Sequence, residues 1–104
     1  MKSKLRNSLQ KNKFVFTAET SPPYSGNKDT VINQVICLKN LADAVNVTDG
    51  AGAKSHMSAL ATAAILAQYE IEPVLQFTTR DRNRIAIQGD LLGGWALNIP
   101  NILC

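Results

Sequence analysis

Apolar and polar positions follow two rhythms along this chain. Short apolar runs rich in β-branched or aromatic residues occupy residues 14–18, 44–48 and 73–78, and a fourth opens at Asn101 and runs to Cys104. Such runs, bounded by turn residues, predict strands. The stretches between them have helical spacing. Val31, Val35, Leu38 and Ala42 fall at i, i+4, i+7 and i+11, with Ile32 and Leu41 beside them, which makes one apolar stripe. Met57, Leu60, Ala61, Ala64 and Ile65 define a second helix, and Ile85, Leu92 and Ala96 a third. Asn27, Ser55 and Asp81 are the candidate N-caps, and Asp29 suits a first turn. Pro22 and Pro23 forbid the first strand to continue, while Asn98 and Pro100 end the last helix. Gly89, Gly93 and Gly94 each weaken that helix by about 1 kcal/mol relative to alanine, so they predict close backbone approach.

The order is therefore β-α-β-α-β-α-β with short connections, which means parallel strands joined by right-handed crossovers. A parallel sheet is covered on both faces or closed on itself. The predicted fold is α/β: a partial (β/α)₈ TIM barrel of three complete βα units and the start of strand 4, over residues 14–104, with a basic extension at residues 1–13. A closed barrel takes about 250 residues, and this chain has 104. The reading thus expects a truncated domain, inactive alone.

Charge narrows the function classes. Lys2, Lys4, Arg6, Lys11 and Lys13 give residues 1–13 a charge of +5, and a total of +3 leaves −2 for the rest. A mildly acidic body offers no polyanion-binding face, so no nucleic-acid partner is expected. The basic start is read as a surface segment, such as a short helix. No apolar run approaches the roughly 20 residues of a membrane span or forms a signal-peptide core, so no membrane association and a cytoplasmic setting are expected. Cys37 and Cys104 have no metal or redox spacing. They are expected reduced and buried, and no metal site is expected.

In parallel α/β folds, chemistry gathers at the carboxyl ends of strands. Glu19 directly follows an apolar strand and precedes a rigid Pro-Pro pair, so it is expected on a partly desolvated rim. Desolvation suits a carboxyl to general acid work; the alternative is a rim carboxylate capping a loop. Asp49-Gly50-Ala51-Gly52 stands where a phosphate-binding turn would, but Ser55 replaces the third glycine of the dinucleotide fingerprint, and a tight strand-to-helix turn is the commoner explanation of such a lone G-x-G. Arg80, Arg82 and Arg84 could meet phosphates or carboxylates, or pair internally with Asp81 and Asp90. His56 is read as solvent-facing and Trp95 as packing.

Four segments, matched in order and spacing, carry a resemblance. They are Phe16-Thr17-Ala18-Glu19-Thr20-Ser21-Pro22-Pro23, Val45-Asn46-Val47-Thr48-Asp49-Gly50-Ala51, the run from Glu72 to Arg84, and Asn101-Ile102-Leu103-Cys104. Together they resemble methylenetetrahydrofolate reductases. The resemblance implies a TIM barrel that binds FAD and passes hydride from NAD(P)H to methylenetetrahydrofolate, giving methyltetrahydrofolate. It implies that Glu19 is the general acid that protonates the folate, and that Thr48, Asp49, Ala51 and Gln76 bind the flavin, Gln76 standing where many members have histidine. Thr20 and Asp49 replace aromatics common in the family, and a Leu-x-Gly-Asp motif is expected directly after Cys104.

Two rival readings remain at this level. One is another pterin-handling barrel, of methyltransferase type, using Glu19 and Asp49. The other is a non-catalytic half-barrel that self-associates as a homo-oligomer.

Overall fold

A computed structural model describes residues 1–104. Helices and strands alternate as α1 (Lys4–Gln10), β1 (Thr17–Thr20), α2 (Lys28–Val35), β2 (Ala44–Val47), α3 (Ala59–Gln68), β3 (Pro73–Gln76), α4 (Arg84–Ala96) and β4 (Asn101–Leu103). Short 3-10 turns follow α2 and precede α3. The strands form one parallel sheet in the order β1-β2-β3-β4, with Glu19 opposite Asn46, Asn46 opposite Val74 and Gln76 opposite Leu103.

This sheet has two unlike faces. Val45, Val47 and Leu75 point one way and are fully buried against Val31 and Val35 of α2 and Ala59, Ala63 and Leu66 of α3, with Ile87 of α4 packed beside them. All three crossover helices thus lie on one side, the arrangement that consecutive strand order produces when every crossover has the same hand. Strand side chains alternate between faces, so Glu19, Asn46, Gln76 and Leu103 share the other side, where Glu19 and Leu103 are exposed. No helix in the chain is long and apolar enough to cross a membrane.

Local chemistry explains most element ends. Asn27, Ser58 and Asn83 cap α2, α3 and α4 by accepting hydrogen bonds from Asp29, Ala61 and Ala86 N–H. At the far ends, Asn12, Glu70 and Asn98 take the left-handed conformation. After α4 the Ile99 N–H donates to Gly94 O and the Asn98 N–H to Trp95 O, the paired bonds of a Schellman stop.

Several expectations need correction. Ser55 and Asp81 are not caps; the caps are Ser58 and Asn83, because both preceding loops are longer than the sequence suggests. The buried stripe of α3 is Ala59, Thr62, Ala63 and Leu66, with Ala61 exposed. On α4 it is Ile87 that packs on the core, while Ile85 and Leu92 of the expected stripe are exposed, as is Trp95. An added Cβ at Gly93 or Gly94 would meet Leu60 at an ordinary 3.8 Å, so neither glycine is forced by close approach. Cys37 and Cys104 are exposed rather than buried.

The basic segment forms α1, as read, and is anchored. Glu72, just before β3, accepts hydrogen bonds from the Lys4 and Leu5 N–H groups, the Ser3 hydroxyl and the Asn101 amide. Burial pushes the Glu72 pKa up, but these four donors outweigh it and hold the carboxyl below the ordinary glutamate value. An anionic group at the first turn also complements the α1 dipole.

Candidate functional site

Glu19 and Gln76 meet on the open face of the sheet. Although two strands apart, they lie on the same side, and Gln76 Nε2 donates to Glu19 Oε2 at 3.4 Å. β1 starts later than the apolar run suggests, at Thr17, so Phe14 and Phe16 stay exposed as an edge-to-face pair. Glu19 therefore lies inside the strand, next to its last residue, and is exposed rather than partly desolvated. The strand end is fixed by other contacts: Thr48 N–H donates to Thr20 O, and Thr48 Oγ1 bonds Ser21 Oγ at 3.1 Å. Pro22 and Pro23 are buried immediately behind.

Asp49 ties the ends of β2 and β3 together. Its Oδ2 accepts from the Thr78 N–H at 2.8 Å and from Arg82 Nη1 at 2.5 Å, and Arg82 Nη1 also donates to Thr78 O. Thr78 Oγ1 returns a bond to Asp49 O. Arg82 further bonds Asp90 on α4 and stacks on Phe77, its guanidinium 4.5 Å from the ring centre. The hydrogen bond to Asp49 is the main cause that raises the Arg82 pKa. Of the two readings of the arginine cluster, internal pairing thus describes Arg82. Arg80 pairs with Asp81 in solvent, both side chains more than half exposed.

The β2–α3 connection is an extended loop rather than a tight turn. Gly50 and Gly52 both have positive φ, at 61° and 65°, which glycine adopts without steric cost. Ala51 is exposed between them. The loop is held to the first one where Met57 N–H donates to Pro23 O. His56 is half-buried rather than solvent-facing, with Nε2 shielded and unbonded.

Of the five residues singled out in the sequence, Glu19 and Gln76 touch each other, while Thr48, Asp49 and Ala51 follow one another around the end of β2. Their free chemistry differs. The Thr48 hydroxyl and one Asp49 oxygen are engaged within the chain, whereas Glu19 and Gln76 present accessible atoms on the open side and Ala51 is exposed on its loop. Sequence reasoning missed Asn46. It is opposite Glu19, half-buried, and its Nδ2 donates to Ala18 O at 3.3 Å. A lone polar residue at the alternate position of an apolar strand was the available signal. No group of three or more His, Cys, Asp or Glu side chains could hold a metal ion.

The arrangement pairs a carboxyl with a neutral amide on an open polar surface, beside a glycine-rich loop. It can hold or donate a proton and give hydrogen bonds to a flat polar ligand laid across the strand ends. The family model described as methylenetetrahydrofolate reductase matches residues 4–104, nearly the whole chain. No curated protein matches the chain.

Proposed function

The chain belongs to the methylenetetrahydrofolate reductase family, a family of folate-related oxidoreductases, and we propose that it carries the acid half of a flavin-dependent methylenetetrahydrofolate reductase site. The observation that carries this reading is the Glu19–Gln76 contact on a sheet face left free by all three crossover helices.

The sheet belongs, in this reading, to a (β/α)₈ barrel whose interior is the open face. Consecutive strand order and one-sided helices support it. So do Ile85, Leu92 and Trp95 on α4 and Leu103 on β4, exposed apolar groups that further barrel elements would cover.

The residues present fit FAD. Gln76 offers an amide donor and acceptor, Ala51 leaves room for close approach, and Thr48 and Asp49 hold the loop end rigid through their bonds to Ser21, Thr78 and Arg82. When bound, the flavin would supply hydride transfer between NAD(P)H and the folate. Glu19 would hold a proton at its carboxyl and give it to methylenetetrahydrofolate, opening the bridge to a reactive iminium. Gln76, uncharged, can hydrogen-bond the carboxyl in either state.

Purified full-length protein tests the reading. It should show a flavin absorbance spectrum and convert methylenetetrahydrofolate to methyltetrahydrofolate with NAD(P)H. Protein that binds no flavin and transfers a methyl group would favour the methyltransferase-type alternative, and one that neither binds flavin nor turns over folate would favour a non-catalytic, self-associating role.

A further inference from the structure

We propose that the cavity between the β2–α3 loop and the end of β3, lined by Gly50, Ala53, Lys54, Ser55, Arg80 and Asp81, binds an oxyanion, phosphate or carboxylate, carried by a ligand. Two cations face one carboxylate there, and only Arg80 is paired with it. Lys54 forms no ion pair, in contrast to Arg82, which is consumed by Asp49 and Asp90. Arg80 spends Nε and Nη2 on Asp81, leaving Nη1 unbonded. Asp81 thereby holds the guanidinium at the cavity wall, with Nη2 3.9 Å from where a Gly50 Cβ would stand.

The backbone adds donors of the right kind. Gly50, Gly52 and Ala53 all have left-handed φ, at 61°, 65° and 54°. They turn the loop back on itself, with the Ala53 N–H donating to Gly50 O. The Lys54 and Ser55 N–H groups reach no backbone acceptor, and the Ser55 hydroxyl makes no bond within the chain. The cavity also lies on the carboxyl-end rim, where ligands of parallel α/β sheets gather. A guanidinium, an ammonium and backbone N–H groups suit any oxyanion. The sources to distinguish are therefore a phosphate of a nucleotide and a carboxylate of a glutamate chain.

Isothermal titration of the full-length protein with inorganic pyrophosphate, and separately with γ-linked triglutamate, at fixed low salt, tests this. At least one probe should bind saturably, and the tighter one identifies the source. Lys54→Met and Arg80→Gln should each weaken it about tenfold, the loss of one charge-assisted contact. A thermal melt of each variant establishes that it is folded, and both substituted cations are on the surface, where truncation leaves the core intact. Absence of saturation with both probes, or indifference to both cation substitutions, overturns the inference. The inference does not rest on the flavin: protein that binds a probe through Lys54 without binding FAD would refute the functional reading and leave this one standing.

Discussion

Asp49 and Arg82 stand 2.5 Å apart across the carboxyl ends of β2 and β3, with side chains only 12% and 17% exposed. Because Asp49 Oδ2 also accepts the Thr78 N–H, the pair fixes the loop that follows each strand. Arg82→Ala would leave a largely buried carboxylate without its cation and Thr78 O without a donor. Removing one partner of such a pair costs about 3 kcal/mol. Urea denaturation of the full-length protein should show that loss in the midpoint at unchanged slope. In a double-mutant cycle with Asp49→Asn the two effects should couple by more than about 1 kcal/mol; additive effects would mean the pair is an independent surface contact.

Glu72 makes α1 sensitive to acid. Its pKa lies below the ordinary value in the folded chain, despite burial, through hydrogen bonds from Asn101, Leu5, Lys4 and Ser3. A depressed folded pKa means the stabilisation is complete above the unfolded value, near 4.5, and is lost as pH falls through the folded one. Amide exchange of Lys4 to Gln10 should therefore accelerate selectively below that pH. In Glu72→Gln, exchange should be fast at neutral pH and lose this dependence. Protection of α1 that is equal in both proteins would show that Glu72 does not hold it.

Gly94 can be replaced. The new methyl group would sit 3.8 Å from Leu60 Cδ1, ordinary van der Waals contact, and a helix interior favours alanine over glycine by about 1 kcal/mol. Gly94→Ala should raise the thermal midpoint of the protein. A lowered midpoint would mean that α4 and α3 approach more closely than this geometry.

What the sequence revealed, and what it hid, follows from the range of the forces involved. Parallel strands and crossover helices were legible because Val45, Val47, Leu75, Val31 and Val35 repeat at the periods their elements require. The caps were not, since Ser55 and Ser58, or Asp81 and Asn83, are chemically equivalent choices; loop length decides, and nothing local encodes it. The α4 glycines and Trp95 were misread because their environment depends on surfaces outside the helix. Glu19 was legible as a polar residue after an apolar run, yet its contact with Gln76 arises only from register across β2. The Asp49–Arg82 link was missed for the same reason: Asp81 and Asp90 are nearer in sequence, but Asp49 is brought close by the parallel pairing of β2 with β3.

The central claim is that Glu19 supplies the proton in the folate half of a flavin-dependent reduction. Stopped-flow absorbance of the full-length protein carrying Glu19→Gln separates the two halves. Glutamine keeps the size and a hydrogen bond to Gln76 but cannot deliver a proton. Flavin reoxidation by methylenetetrahydrofolate should slow by on the order of 10²-fold or more, the usual contribution of a general acid, while flavin reduction by NAD(P)H stays close to that of the unsubstituted protein. Equal loss of both rates, or of neither, would contradict the account and leave Glu19 a structural carboxylate of the sheet.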